Sequence, residues 1–540
     1  MWQVSHRPGD RRGRGIGLTA SVADVLVSSI VRRNADLCPD RDAVVEPGRQ
    51  TQSWGALEER TNRLARALRE LGVAHGDRLG VLAPNCAEHL ELFFAEAKSG
   101  VIGAPMNIRL THDDLAAYCR YVEPAAIVVH ASLADTARAL AADVPGIGPV
   151  IGFGGDHGCD VDLDEAIAAQ DSTDPGFDVV DTDVYQLAAT SGTTGVSKAV
   201  ALTHRNCWAA ISCYLADMPI GEAETVLQNI PFFFNPGGPA HIHPALVKGG
   251  RTVVLPGFDP GLFCESVATY GVNHTILVPT MVTMVLDHPS AADTDFSTLR
   301  SVISGGSPVT RDLLVRARDA MGDVFFPHYG MAESYSSGLV LRRHHQHTEG
   351  PEHLVRRLGS AGHPHVLVEV RVVGPDGDVP KDDTTEGEIW MRGDTMADEY
   401  FRMPDETAAA HDGDWFRTGD LGVVDDEGFI TIVGRAKDVI ITGGINVHGR
   451  EVEEVVLRHP AVAAAAVIGT PHPTWGEQIH AVVVATPGAE VDDHDVLSFC
   501  AGQLADYKRP RGLTVVDELP MTATGKVRKN ELRARFAADG

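Results

Sequence analysis

Short apolar runs alternate with helical repeats in the first part of the chain, and this alternation constrains the fold more than any other feature. Leucines at helical spacing occupy residues 57–71, and Gly72 follows them where a helix C-cap glycine belongs. A strand-like run over 79–83 comes next, and a second helical stretch ends at Gly100. Strand followed by helix is typical of doubly wound α/β sheets, so we predict that fold class for a large N-terminal domain, residues 19–435.

The pattern changes near residue 355. Short apolar runs at 366–373, 387–392 and 428–433 are separated by Gly, Asp and Pro turns, and helical repeats almost disappear. We therefore predict a β-barrel-like subdomain at about 355–435, added to the α/β part.

After Arg435 the alternation returns on a smaller scale. Strand-like runs at 462–468 and 479–484 precede a helical stretch at 491–504. This predicts a small, mobile α+β C-terminal domain over 436–540, with a hinge near Lys437. Residues 1–18 are predicted to be a flexible basic tail.

Composition narrows the choice of partners. The 540 residues carry a formal charge of −28, which argues against a nucleic-acid partner because such a partner needs a basic face. No uninterrupted apolar run approaches the roughly 20 residues of a membrane span. The eight cysteines show no CxxC pair, so neither a zinc site nor a disulfide framework is indicated, and we expect a cytoplasmic protein.

A loop rich in hydroxyls and glycines follows the apolar run 187–189. Its donors suit a polyphosphate, with the lysine as counter-charge, although a plain Ser/Gly/Thr surface turn would share the composition. The glycine spacing differs from that of a Walker loop. The loop residues assigned to phosphate binding are Thr190, Ser191, Gly192, Thr193, Thr194, Gly195 and Lys198.

Four further segments occur downstream in a fixed order: 329–333 (YGMAE), 415–420 (WFRTGD), 434–438 (GRAKD) and 520–526 (PMTATGK). Together with the 190–198 loop, they resemble the motifs of the adenylate-forming superfamily, which includes acyl-CoA synthetases, carrier-loading adenylation domains and beetle luciferases. The resemblance covers the chain from about residue 20 to its end and is strongest to the acyl-CoA synthetases.

The resemblance implies an ATP-dependent, AMP-forming acid–thiol ligase. A carboxylate attacks the α-phosphate of ATP to give an acyl-adenylate and pyrophosphate, and the thiol of coenzyme A then displaces AMP. The implied cofactors are ATP, Mg²⁺ and coenzyme A. Because two anions must meet, such a site needs hydrogen-bond donors and positive charge in place before the reaction.

The family roles transfer onto matching positions. Glu333 is similar to the Mg²⁺ ligand, Tyr329 to the residue that stacks on adenine, and Asp420 and Arg435 to the groups that hold the ribose. Lys526 resembles the mobile catalytic lysine of the small domain, and Glu333 and Thr194 complete the expected catalytic set. Further cofactor contacts are expected from Gly305, Gly306, Ser307 and Gly330 and, along the pantetheine channel, from Gly443 and Gly444.

The acyl pocket is expected to be aromatic and glycine-rich, which favours an apolar acid with a bulky or cyclic group over an α-amino acid. Its predicted members are Phe232, Phe233, Phe234, Gly238, Gly305, Gly306, Gly330 and Met331.

The chain also departs from the family pattern. Ala332 stands where a threonine usually contacts the adenylate phosphate, Ser197 replaces a proline, and Phe234 stands where acyl-CoA synthetases commonly have histidine. These departures leave open a thioester-forming enzyme that uses an acyl-adenylate from an upstream adenylating enzyme. Two further alternatives are a carrier-protein-loading enzyme and a non-catalytic nucleotide-binding descendant. A homodimer is expected by analogy with relatives alone.

Overall fold

The computed structural model describes residues 25–190, 198–234, 239–307, 309–521 and 527–537. The chain begins with α1 Ser29–Leu37, β1 Asp42–Glu46, β2 Gln50–Ser53 and α2 Trp54–Glu70. Ser53 caps α2, because its side chain accepts a hydrogen bond from the amide of Ala56 at 3.3 Å. The helix expected over 57–71 is therefore present.

The next region forms a seven-stranded sheet. Its elements are β3 Arg78–Leu82, α3 Ala87–Ser99, β4 Ile102–Pro105, α4 His112–Val122, β5 Ala126–His130, α5 Ala134–Asp143, β6 Val150–Phe153, β7 Val161–Asp162, α6 Leu163–Ala168, β8 Val184–Ala189 and β9 Ala199–Thr203. The strand order is β7-β6-β5-β3-β4-β8-β9, and every pair is parallel except β8 with the edge strand β9.

A nine-stranded sheet follows. Its later elements are α7 His204–Asp217, β10 Thr225–Gln228, α8 Pro239–Val247, β11 Arg251–Val254, α9 Pro260–Tyr270, β12 His274–Ile276, α10 Pro279–Leu286, β13 Ser301–Gly305, α11 Arg311–Met321, β14 Phe325–Tyr329, β15 Leu339–Val340, α12 Glu352–Val355 and β16 His363–Pro364. The order is β16-β15-β14-β13-β12-β10-β11-β1-β2, so the first hairpin of the chain forms one edge. The strands from β14 to β1 are parallel.

The helix α3 lies between these two sheets. All 13 of its residues are buried, and it contacts α2, β1 and β4. Three of its four charged side chains are paired: Glu88 with Arg49, Glu91 with Arg60 at 2.7 Å, and Lys98 with Glu58 at 2.6 Å. The fourth, Glu96, has no ion-pair partner among the described residues, and burial raises its pKa well above the ordinary value. Buried charges are tolerated when they are paired in this way.

The β subdomain is a six-stranded antiparallel sheet. It contains β17 Glu369–Gly374, β18 Gly377–Asp378, β19 Gly387–Arg392, α13 Pro404–Ala410, β20 His411–Asp412, β21 Trp415–Val424 and β22 Ile430–Arg435. The order is β18-β17-β19-β21-β20, and β22 pairs with β21. The expected change from α/β to β structure is confirmed.

A separate C-terminal domain completes the chain, as expected. It contains β23 Val439–Thr442, β24 Ile445–His448, α14 Gly449–Val456, β25 Val462–His472, β26 Gly476–Ala485, α15 Asp493–Ala501, β27 Gly512–Val515 and α16 Lys529–Ala537. A single 3₁₀ turn, Ala436–Asp438, joins it to β22. Within the described ranges, no helix has the length and apolar character needed to cross a bilayer.

Candidate functional site

A cavity of about 430 Å³ lies where the nine-stranded sheet, the β subdomain and the C-terminal domain meet. The carboxyl ends of the parallel strands β13 and β14 open into it, which is where open α/β sheets bind ligands. Residues from all three parts line it, including Gly306, Ser307, Tyr329, Gly330, Met331, Asp420, Arg435, Lys437, His448, Arg450, Glu453, Val527 and Lys529.

Asp420 forms the polar centre of this cavity. Asp420 and Arg435 face each other across the β21–β22 pair, and the Arg435 Nε donates to Asp420 Oδ1 at 2.9 Å. The Tyr329 hydroxyl donates to Asp420 Oδ2 at 2.7 Å. The structure therefore brings together three residues that the sequence analysis assigned separately to the nucleotide.

These contacts fix the protonation states. Packing around the Tyr329 hydroxyl raises its pKa well above the ordinary value, and the Asp420 charge adds to the effect, so Tyr329 is a neutral donor. Burial opposes the charge on Arg435, but the Asp420 carboxylate outweighs it and the pKa of Arg435 is raised. The Asp420 side chain is only 7% exposed and keeps lone pairs for further donors such as sugar hydroxyls.

Gly330 allows the chain to turn closely beside Tyr329. A Cβ atom at Gly330 would lie 2.2 Å from the carbonyl oxygen of Ser336, a distance that no side chain can accept. The chain then turns back sharply at Tyr335 and Ser336, which have positive φ angles of 47° and 64°, respectively. Non-glycine residues in this region cost about 1–3 kcal/mol each, and such strain concentrates at functional sites.

Glu333 lies inside this turn, in the 3₁₀ helix Ala332–Ser334. Its backbone carbonyl accepts from Ala397 N at 2.7 Å, and its Oε1 accepts from the Tyr400 hydroxyl at 2.7 Å. Among the residues described, no hydrogen bond or ion pair engages Oε2. A half-buried carboxylate with one oxygen held and one open fits Mg²⁺, which proteins bind through one or two carboxylates together with substrate phosphates.

Lys198 and Glu333 share one neighbour. The Lys198 Nζ lies 4.3 Å from the centre of the Tyr400 ring, whose hydroxyl binds Glu333. Thr190 N donates to Lys198 O at 2.8 Å, so both ends of the predicted phosphate loop are held together. The loop residues Ser191, Gly192, Thr193, Thr194 and Gly195 lie outside the described residues. Tyr400 was missed by the sequence analysis, since a single tyrosine in the acidic stretch 398–400 gives no signal.

The three phenylalanines predicted for the acyl pocket lie in different environments. Phe232 is 2% exposed and packs against His89 and Phe93 with ring centres 5.1 and 5.3 Å away, so its ring belongs to the core. Phe233 is also buried, whereas Phe234 is half-buried and lies 5.9 Å from the Arg109 guanidinium. Gly238 is outside the described residues. Gly305 ends β13, and Gly306, Gly330 and Met331 line the cavity.

The C-terminal domain lines the cavity and contacts the large domain through described side chains, including His448 and Arg450. His448 Nε2 lies 2.8 Å from Glu386 Oε1, and Arg450 donates to the Ile432 carbonyl at 2.5 Å. Lys437, in the connecting turn, lines the cavity. The predicted catalytic Lys526 falls outside the described residues, but the residue after it, Val527, lines the cavity.

Gly443 and Gly444 form the turn between β23 and β24. Their φ angles of 58° and 80° are both positive, as a two-residue type I′ hairpin turn requires. Neither glycine is among the residues that line the cavity. Their predicted contact with a pantetheine arm stays a prediction.

Comparisons with known proteins identify similar chains across almost the whole length. The model of the AMP-binding enzyme family matches residues 31–401, and that of the AMP-binding enzyme C-terminal domain matches residues 451–526. A feruloyl-CoA synthase from Amycolatopsis is 35% identical over 93% of this chain and 98% of its own. A long-chain-fatty-acid–CoA ligase from Mycobacterium tuberculosis is 31% identical over 94% and 98%. The crystal structure of ATP-bound MatB from Rhodopseudomonas palustris superposes with a TM-score of 0.83, at 29% identity over 94% and 99% of the two chains.

Proposed function

Because this chain belongs to the family of AMP-binding enzymes, we propose that it activates an apolar, ring-bearing carboxylic acid in the cavity between its domains and transfers the acyl group to coenzyme A. The expected place in the adenylate-forming superfamily is confirmed by the two family matches and by the CoA-ligase relatives. The chain is an ATP-dependent acyl-CoA ligase, and ATP, Mg²⁺ and coenzyme A are the cofactors of this reaction.

The reaction has two displacements. In the first, a carboxylate oxygen of the acid attacks the α-phosphorus of ATP, the bond to the bridging oxygen breaks, and pyrophosphate leaves. In the second, the coenzyme A sulfur loses its proton and attacks the acyl carbon, the bond to the AMP oxygen breaks, and AMP leaves. The protein must hold the nucleotide through both steps.

The Tyr329–Asp420–Arg435 cluster is the observation that carries the proposal. Asp420 is buried and already oriented by donors at 2.7 and 2.9 Å, so it can accept both ribose hydroxyls without first being reorganised. Tyr329 presents a neutral ring at the carboxyl end of β14, which suits an adenine. Arg435 balances the charge of Asp420.

The phosphates lie toward Lys198 and Glu333 in this proposal. Lys198 supplies positive charge at the end of the phosphate loop, and Glu333 Oε2 is available to bind Mg²⁺. When bound, Mg²⁺ neutralises charge that develops on the leaving pyrophosphate. The catalytic roles of Thr194 and Lys526 rest on the sequence resemblance.

An apolar acid fits the described part of the pocket. Met331 lines the cavity and packs against the main hydrophobic core, and Gly306 and Gly330 add no side chain beside it. The 35% identical relative is named for the feruloyl group, which contains an aromatic ring, and this supports a cyclic acid.

The experiment is a panel of carboxylic acids offered with ATP, Mg²⁺ and coenzyme A. It includes ferulate, other ring-bearing acids, straight-chain fatty acids and α-amino acids, and it follows pyrophosphate exchange and acyl-CoA formation separately. Turnover of ring-bearing acids supports the proposal. Preference for α-amino acids would contradict the substrate class, and acylation of a carrier protein in place of coenzyme A would contradict the acceptor.

A further inference from the structure

Tyr400 contacts both charged groups that are assigned to the phosphates. Its hydroxyl donates to Glu333 Oε1 at 2.7 Å, and the Lys198 Nζ lies 4.3 Å from its ring centre. Glu333 and Lys198 are 135 residues apart in the sequence, and Tyr400 comes from a third segment, in the β subdomain. One side chain therefore joins the metal-binding candidate to the phosphate-binding candidate.

The backbone around Tyr400 is held against the strand that follows Lys198. Tyr400 forms an antiparallel bridge with Val200, and Phe401 N donates to Ala199 O at 2.8 Å. On the far side, Tyr400 N donates to the Thr407 hydroxyl at 3.0 Å. Tyr400 is 7% exposed, so its ring has little freedom to move.

The two contacts use different parts of the side chain. The hydroxyl donates to a carboxylate, and such charge-assisted bonds are shorter and stronger than neutral ones. The ring face attracts the lysine ammonium. Burial and the neighbouring Glu333 carboxylate both raise the pKa of Tyr400, so the phenol keeps its proton and remains a donor.

We propose that Tyr400 is a positioning residue that fixes the distance and orientation between Glu333 and Lys198 before Mg²⁺ and ATP bind. This inference rests on the proposed function, because it needs Glu333 to bind the metal and Lys198 to bind phosphate. Holding Oε1 would leave Oε2 available to a bound metal, and the ring contact holds the Lys198 ammonium beside the same side chain. Tyr400 thus acts on the adenylate-forming step and has no part in thioester formation.

The hydroxyl and the ring can be tested separately. Tyr400→Phe removes the bond to Glu333 and keeps the ring under Lys198, whereas Tyr400→Leu removes both. Loss of a hydrogen-bond partner of a metal ligand typically lowers metal affinity by about 10- to 100-fold. Tyr400→Phe should therefore weaken metal binding by about tenfold, and Tyr400→Leu should also raise the KM for ATP.

Tyr118→Phe is the matched control. Tyr118 is 5% exposed in α4, and its hydroxyl has no hydrogen-bond partner among the described residues. The control removes the same atom from an equally buried tyrosine. It should leave metal dependence and both half-reactions unchanged.

The first measurement is binding of Mn²⁺ in the presence of ATP, followed by electron paramagnetic resonance. The second is the Mg²⁺ dependence of pyrophosphate exchange, compared with thioester formation from a preformed acyl-adenylate. We expect Tyr400→Phe to shift the Mn²⁺ and Mg²⁺ dependences together and to leave the thioester step at the wild-type rate. In a Glu333→Gln background, Tyr400→Phe should cause no further shift, because the two residues act through one contact.

Unchanged Mn²⁺ binding in Tyr400→Phe would overturn the inference, as would equal losses in both half-reactions. If the wild-type protein shows no exchange with any acid, the proposed function fails, and the Mn²⁺ titration still decides whether Tyr400 positions a metal ligand. If the wild-type protein binds no Mn²⁺ in the presence of ATP, the proposed function and the inference about Tyr400 are both refuted.

Discussion

Replacing Asp420 by asparagine should impair ATP use far more than it impairs folding. The substitution keeps the size of the side chain and removes its charge. Asp420 is the acceptor for Tyr329 and Arg435, and in the proposed mechanism it is also the acceptor for the two ribose hydroxyls.

The size of the effect follows from these contacts. A hydrogen bond to a charged group contributes about 1.5–3 kcal/mol and a neutral one about 0.5–1.5 kcal/mol, so each ribose contact loses about 1–1.5 kcal/mol. Two hydroxyls together give about 2–3 kcal/mol, which is roughly a 30- to 160-fold loss in kcat/KM for ATP. Arg435 is 41% exposed and can be solvated by water, so the stability cost of its lost partner should be about 1 kcal/mol or less.

The assay is pyrophosphate exchange with ATP varied at a saturating concentration of the acid. Asp425→Asn is the matched control, because Asp425 is also a buried aspartate of the β subdomain and lies outside the proposed nucleotide contacts. Its Oδ1 accepts from Glu427 N at 3.0 Å and Phe429 N at 2.8 Å, and its Oδ2 lies 3.6 Å from a guanidinium nitrogen of Arg356. The control should lower stability and leave kcat/KM for ATP unchanged. An unaltered kcat/KM in Asp420→Asn, or an equal loss in Asp425→Asn, would refute the assignment.

Two further predictions concern domain movement and acid stability. Lys437→Pro should stiffen the connecting turn and slow thioester formation much more than adenylate formation, as measured by single-turnover rates; equal losses would contradict a hinge at this position. Burial lowers the pKa of His89 from 6.5 to about 4. Between these values the unfolded chain binds the proton and the folded protein does not, so stability falls as the pH drops, by up to about 3 kcal/mol. His89→Phe should remove most of that loss in urea unfolding at pH 7 and pH 4.5, and an equal acid loss in both proteins would show that His89 does not titrate as inferred.

The sequence alone predicted the architecture because local signals agreed with the global fold. The α/β alternation and the change to short strands near residue 355 depend on periodicity and turn residues, which are visible in one dimension. The cluster of Tyr329, Asp420 and Arg435 could also be anticipated through the family resemblance. Physically, these residues meet because β14 ends where β21 and β22 pair.

Other features depend on the packing of distant segments. The charged residues of α3 suggest an exposed helix face, yet both sheets cover the helix. Glu91 and Lys98 pair with residues of α2, whereas burial raises the pKa of Glu96 well above its ordinary value. Phe232 looks like a pocket residue beside Phe234, but its ring packs onto α3 through His89 and Phe93. Tyr400 acquires its two contacts only when the β subdomain meets the strand after Lys198.

The most direct test of the proposed mechanism separates the two half-reactions in a Lys526→Ala variant. Pyrophosphate exchange reports adenylate formation, and coenzyme A added to a preformed acyl-adenylate reports thioester formation. We predict that the wild-type protein carries out both steps and that Lys526→Ala loses exchange while keeping the thioester step. Equal loss of both steps in the variant, or a wild-type protein that forms thioester only from supplied adenylate, would contradict adenylation in this cavity.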